Sequence, residues 1–185
     1  MKSTAQWGAV AVAIIALIFV RCAAAPHELL GQPAPDISLR LLEGGERKLS
    51  AHEGNEVVVL DFWATWCGPC LQSMPILAAI EQEYADRGVA LYAVNVGEPP
   101  ALVASFLEDQ GWDITVAVDP AMQAARDYVV NGIPQTVIID KAGRIQAVHV
   151  GVGPNYRANL EEDLDAVLAG RDLIPKPTST EEKES

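Results

Sequence analysis

Two apolar runs, Val57 to Phe62 and Val89 to Val96, bracket a stretch whose apolar residues recur at helical spacing. Each run is short and nearly unbroken, the pattern of a strand buried on both faces. Between them Leu71, Met74, Leu77, Ile80 and Tyr84 repeat every three or four positions, and Gly88 supplies a stop. A buried strand, a helix and a second buried strand make a parallel pair joined by a right-handed crossover. That unit restricts the chain to an α/β fold with helices covering the sheet.

The flanking sequence extends this layout. Ile37 to Leu41 alternates at period two, and Gly44-Gly45 turns it into Glu46 to Leu49, an N-terminal β-hairpin. Ala101 to Gln110 has helical spacing and stops at Gly111; Ile114 to Val118 reads as a strand and Met122 to Tyr128 as a short helix. Thr136 to Asp140 and Arg144 to Val150 are strands joined by Asp140-Lys141-Ala142-Gly143, and Asn159 to Leu168 is a last amphipathic helix. The predicted architecture is a central mixed β-sheet flanked by helices, with an N-terminal β-hairpin and a central αβ insertion. It occupies 37–170, after a proline-rich linker or extended lead-in at 26–36 and before a polar, acidic, disordered tail at 171–185.

Residues 1–25 have a different character. Lys2 precedes an apolar run from Trp7 to Val20, which Arg21 closes. Counted strictly, the run suits the core of a signal peptide; counted from Ser3, it is just long enough to span a bilayer. The expectation is a retained membrane anchor with the body facing the periplasm or cell exterior, the alternatives being cleavage after Cys22-Ala23-Ala24 and lipidation of Cys22. A net charge of −12 with scattered basic residues argues against a nucleic-acid partner.

The chain has three cysteines, so no disulfide framework is available. Cys67 and Cys70 form a C-x-x-C in Trp66-Cys67-Gly68-Pro69-Cys70, directly after the first buried run. Zinc would need two further ligands, but Cys22 lies in the export segment and His27, His52 and His149 are isolated. A reversible redox pair fits the context better. Cys67 sits where a strand gives way to a helix, so unpaired backbone N–H groups and the positive helix end favour its thiolate, the form that attacks disulfides. Cys70, one turn further, is placed to resolve the mixed disulfide. Pro69 is tolerated in the first helical turn, whereas Pro75 further in should kink the helix.

Asp61, a carboxylate inside the buried run, has two readings. It either ends the strand facing water, or lies beneath the cysteines with a raised pKa and exchanges the proton that Cys70 must lose. The apolar Phe62-Trp63-Ala64 that follows favours the second. Ile133-Pro134, just before the strand at Thr136, is placed either for a cis peptide that offers the Ile133 backbone to an extended client or for an ordinary trans loop.

Asp61-Phe62-Trp63-Ala64-Thr65-Trp66-Cys67-Gly68-Pro69-Cys70, Pro75 and Gly132-Ile133-Pro134-Gln135-Thr136 resemble the thioredoxin superfamily in order and spacing. The segments starting at Leu30, Leu91 and Tyr128, with the insertion around 96–118, resemble the TlpA/ResA-like membrane-anchored thiol-disulfide oxidoreductases. The resemblance implies a thioredoxin fold in which Cys67 attacks, Cys70 resolves, Trp66, Gly68, Pro69, Ile133 and Pro134 line the substrate groove, and Pro134 is cis. It implies a protein-disulfide reductase needing no cofactor beyond the Cys67–Cys70 pair, with cytochrome c maturation as one setting. Implied partners are disulfide-containing client proteins, apocytochrome c among them, and a membrane electron donor of the thioredoxin-relay type, with the chain itself a monomer. The alternatives are a disulfide oxidase or isomerase, and a non-catalytic thiol metal-binding module or metallochaperone. Two departures stand out: many members carry Asn where this chain has Asp61, and some carry an acid where it has Ser73.

Overall fold

The computed structural model describes residues 27–174. Residues 1–26 and 175–185, with the expectations of a membrane anchor or signal peptide and of a disordered tail, lie outside these residues. A hairpin of β1 (Ser38–Arg40) and β2 (Glu46–Lys48) comes first. It is followed by β3 (Val57–Trp63), α1 (Gly68–Tyr84), β4 (Val89–Val96), α2 (Pro100–Gln110), β5 (Val116–Asp119) and α3 (Gln123–Asp127). The chain then closes with β6 (Gln135–Ile139), β7 (Ile145–Val150) and α4 (Tyr156–Leu168). The main sheet has the order β5-β4-β3-β6-β7. β3, β4 and β5 run parallel, and β6 and β7 are antiparallel to their neighbours.

β3 is central and buried along its whole length, as its unbroken apolar run requires. The pleat sends alternate residues to opposite faces. Val57, Val59 and Trp63 pack with Met74, Leu77 and Ile80 of α1 and with Leu160 and Leu164 of α4. Val58, Leu60 and Phe62 face the other way, against the hairpin residue Leu39 and against Ala125 and Tyr128 at α3. Each such side chain taken fully out of water contributes about 1.5–3 kcal/mol. The α2–β5 insertion docks through aromatic contacts, with Phe106 6.2 Å from Trp63 and 5.9 Å from Trp112, centroid to centroid.

Several boundaries differ from the sequence expectation, each for a local reason. α4 begins at Tyr156 rather than Asn159, because Tyr156, Leu160, Leu164 and Val167 form one buried stripe. Pro154 and Asn155 mask that stripe in the sequence. The helical spacing in the sequence reads from Cys70 to Asp86, but α1 begins at Gly68, since Cys67 caps it and Pro69 sits in its first turn. Pro75 lies inside α1, which continues to Tyr84. β5 starts two residues later than expected, because the Thr115 N–H is directed to Glu81 Oε2 at 2.9 Å. The lead-in before β1 runs beside β7: Gly31 N–H donates to Ile145 O at 2.8 Å, and Ile145 N–H returns the bond to Gln32 O at 3.0 Å.

Candidate active site

Cys67 is the N-cap of α1 and is joined to Cys70 by a disulfide, with the Cα atoms 5.2 Å apart. The Cys70 N–H points at Cys67 Sγ, 3.2 Å away. No acidic side chain lies in the first turn of this 17-residue helix. A thiolate released at Cys67 therefore meets a backbone donor and the positive helix end, with no acidic side chain in the first helical turn to oppose them. The two sulfurs are unequal: Cys67 is 5% exposed, at the surface edge, whereas Cys70 is fully buried. Only the first can meet a disulfide on another protein.

The residues expected to form the groove differ in exposure. Trp66 is 72% exposed, Gly68 and Pro69 are exposed at the helix start, and Ile133 is half-buried. The Ile133–Pro134 bond is cis, with Pro134 buried. The Ile133 carbonyl oxygen lies 3.6 Å from Cys67 Sγ. Ser73, where some relatives carry an acid, is buried and donates to the Cys70 carbonyl at 2.9 Å.

Asp61 is completely buried, which rules out the reading in which it ends the strand facing water. Alternation along β3 puts it on the face of Val59 and Trp63, the face that packs against Cys70 and Met74 of α1. The β3–β6 register sets it beside Thr136, whose hydroxyl donates to Asp61 Oδ1 at 2.7 Å. The Thr136 hydroxyl is in turn 2.8 Å from the Tyr156 hydroxyl at the start of α4. Oδ2 has no hydrogen-bond partner among the described residues. Burial pushes the Asp61 carboxyl from 3.8 up to about 7, against the opposing pull of the Thr136 and Tyr156 hydroxyls.

A second buried acid holds the loop before the cysteines. Glu98 accepts from Thr65 N–H at 2.8 Å, from Thr65 Oγ1 at 2.6 Å and from Asn95 Nδ2 at 2.7 Å. It thereby ties the Thr65-Trp66 turn to the end of β4, where the central insertion begins. The sequence reading gave no role to Glu98, Thr136 or Tyr156; what signal there was for Glu98 lay in an acid directly after a buried strand and Gly97. Glu98→Gln exchanges one acceptor oxygen for an NH₂ group facing other donors. We expect it to destabilise the fold by about 1–3 kcal/mol, read by urea denaturation; an unchanged midpoint would mean that the latch carries no load.

The fold and a surface-edge disulfide at a helix N-cap, facing a cis-proline loop, define a thioredoxin-superfamily dithiol protein of the TlpA/ResA-like kind. The Redoxin family model matches residues 29–168, and the chain belongs to that family. It is 38% identical over 122 residues to the thiol-disulfide oxidoreductase ResA of Geobacillus thermodenitrificans, covering 66% of this chain and 70% of that protein. It is 38% identical over 138 residues to the thioredoxin-like protein YneN of Bacillus subtilis, covering 73% and 79%. Among solved structures, a candidate thiol:disulfide interchange protein DsbE from Chlorobium tepidum superposes with a TM-score of 0.70 at 39% identity. That match covers 75% of this chain and 97% of the other.

Proposed function

We propose that the chain is a thiol-disulfide oxidoreductase that reduces disulfides in proteins outside the cytoplasm. The observation that carries this reading is the asymmetry of the pair: Cys67 at the surface edge of a helix N-terminus, Cys70 bonded to it and fully buried. In the reduced protein the Cys67 thiolate attacks a client disulfide, one client sulfur leaves as a thiol, and a mixed disulfide forms. Cys70 gives up its proton and attacks Cys67 Sγ, which releases the second client thiol and leaves the Cys67–Cys70 bond. Asp61 is the group on that sheet face able to take the Cys70 proton. Trp66, Gly68, Pro69, Ile133 and Pro134 receive the client as an extended segment, reading backbone more than side chain.

The electrons are carried by the cysteine pair alone, so the protein works without a bound cofactor. The Gly68-Pro69 spacer places no histidine beside Cys67 to hold its thiolate further, which favours a reducing potential. A reductase outside the cytoplasm needs a supply of electrons, and a membrane donor relaying them from cytoplasmic thioredoxin meets that need. The apolar run from Trp7 to Val20 would tether the chain near such a donor, as a monomer with the Redoxin body facing outward. Among the described residues no helix is long and apolar enough to cross a membrane. Client disulfides on exported proteins are the substrates, and the cysteine pair of apocytochrome c is one of that class.

Titrating the Cys67–Cys70 pair against a glutathione or dithiothreitol redox buffer tests the direction. We expect a midpoint below about −200 mV, in the range of reducing thioredoxins; a midpoint above about −150 mV would assign the protein to disulfide formation instead.

A further inference from the structure

The Asp61 carboxylate is reached through two hydroxyls. Thr136 is 1% exposed and Tyr156 5%, and they come from different elements, β6 and α4. A threonine hydroxyl has one proton to give. With that proton directed to Asp61 Oδ1 at 2.7 Å, the 2.8 Å contact between Thr136 and Tyr156 must be a bond donated by Tyr156. The two hydroxyls therefore line up donor to acceptor toward the carboxylate. When Asp61 is protonated, both bonds can reverse without moving a heavy atom. The outer member, Tyr156, lines a surface cavity of about 400 Å3 together with Val148, Gly153 and Asn159. Water there can take the proton that Asp61 releases between turnovers.

We propose that Thr136 and Tyr156 are positioning residues that hold Asp61 in its proton-accepting form, acting as a two-hydroxyl chain from the α4 cavity to the carboxylate. The inference rests on the relay role of Asp61 proposed above. Other ionisable groups near this chain are Cys67 and Cys70 of α1, and His149 of β7, which lies opposite Thr136 in register and is paired with Asp163 of α4 at 2.8 Å. Neither His149 nor Asp163 hydrogen-bonds to the chain, so the Asp61 carboxylate depends on the two hydroxyls for its donors. The proton balance is simple: Cys70–SH gives its proton to Asp61 as the Cys70–Cys67 bond forms and the client sulfur leaves. Asp61 then returns that proton to solvent.

The test is single-turnover reduction of a disulfide-bonded peptide by the full reduced chain, with acid quench and alkylation to separate attack from resolution across pH 5–9. Losing a donated bond to a buried carboxylate disfavours its charged form, so the pH midpoint of resolution should move upward by about one unit or more. Thr136→Val is expected to show that shift, with resolution about five- to tenfold slower at pH 7 and recovery toward the wild-type rate at pH 9. Tyr156→Phe should show a smaller shift in the same direction, because it acts through Thr136. Thr136→Ser should restore the wild-type midpoint, and attack by Cys67 should be unchanged throughout. Adding Thr136→Val to Asp61→Asn should slow resolution no further. A midpoint unmoved in both hydroxyl variants, uniform slowing at every pH, failure of Thr136→Ser to rescue, or additivity with Asp61→Asn would each overturn the chain while leaving the Asp61 relay standing. An Asp61→Asn variant that resolves at the wild-type rate would bring down both.

Discussion

Replacing Cys67 by serine is expected to end disulfide reduction, with insulin reduction falling by about a thousandfold or more. Serine keeps the size of the side chain, but its hydroxyl stays protonated at the helix N-terminus where a thiol would ionise, and so offers no comparable nucleophile. The fold should survive, since the bond to Cys70 that the substitution removes is one the reduced protein also lacks, and the packing of Cys70 in the core stays in place. Cys70→Ala should behave differently. Attack remains, resolution is lost, and clients accumulate on Cys67 as mixed disulfides that mass spectrometry can identify. Full burial of Cys70 predicts that order and not the reverse. Turnover retained by Cys67→Ser, or clients trapped on Cys70 in the serine variant, would remove Cys67 from the attacking position.

The parts of this structure legible in the sequence are those set by local pattern. The run from Val57 announces a strand buried on both faces, and β4 spans the residues that its apolar run marks, Val89–Val96. Cys67 at the helix start could be placed because strand, turn and helix follow one another along the chain. Asp61 could be noticed because a carboxylate is out of place among Val, Leu and Phe. Its partners could not. Thr136 lies 75 positions away, and it meets Asp61 only because β6 pairs with β3 in a given register. Tyr156 joins them because α4 starts about a turn earlier than the Asn159 read from the sequence. Glu98 reads as a loop acid until the fold brings Thr65, 33 positions earlier, onto it. Single hydrogen bonds between distant elements leave no periodicity in a sequence, so the cysteine pair was visible and the hydrogen bonds of Asp61 and Glu98 were not.

Asp61→Asn is expected to make the protein more stable and its second chemical step slower. A carboxyl that titrates at about 7 when folded, against 3.8 as the unperturbed value, keeps its proton in the folded chain over a window in which the unfolded chain has lost it. The contribution of Asp61 to the stability of the oxidised protein should therefore be greatest near pH 4 and below. It should fall by on the order of 1.4 kcal/mol per pH unit toward pH 7 and level off above, once both states are ionised. Asparagine removes the titration and the slope with it. Its amide still buries one group at the position of the unpartnered Oδ2, so the net gain at pH 8 should be about 2 kcal/mol, with little or none at pH 4. The same substitution removes the group proposed to take the Cys70 proton, and resolution of the mixed disulfide should slow by about 10- to 100-fold at pH 8 while Cys67 attacks at its usual rate. Urea denaturation at pH 4 and pH 8 and quench-flow kinetics read the two effects separately. Stabilisation without slower resolution would make Asp61 an acid whose burial is unconnected with proton transfer. Slower resolution with an unaltered pH–stability slope would show that the carboxyl is already ionised in the fold, and that its contribution is electrostatic rather than that of a base.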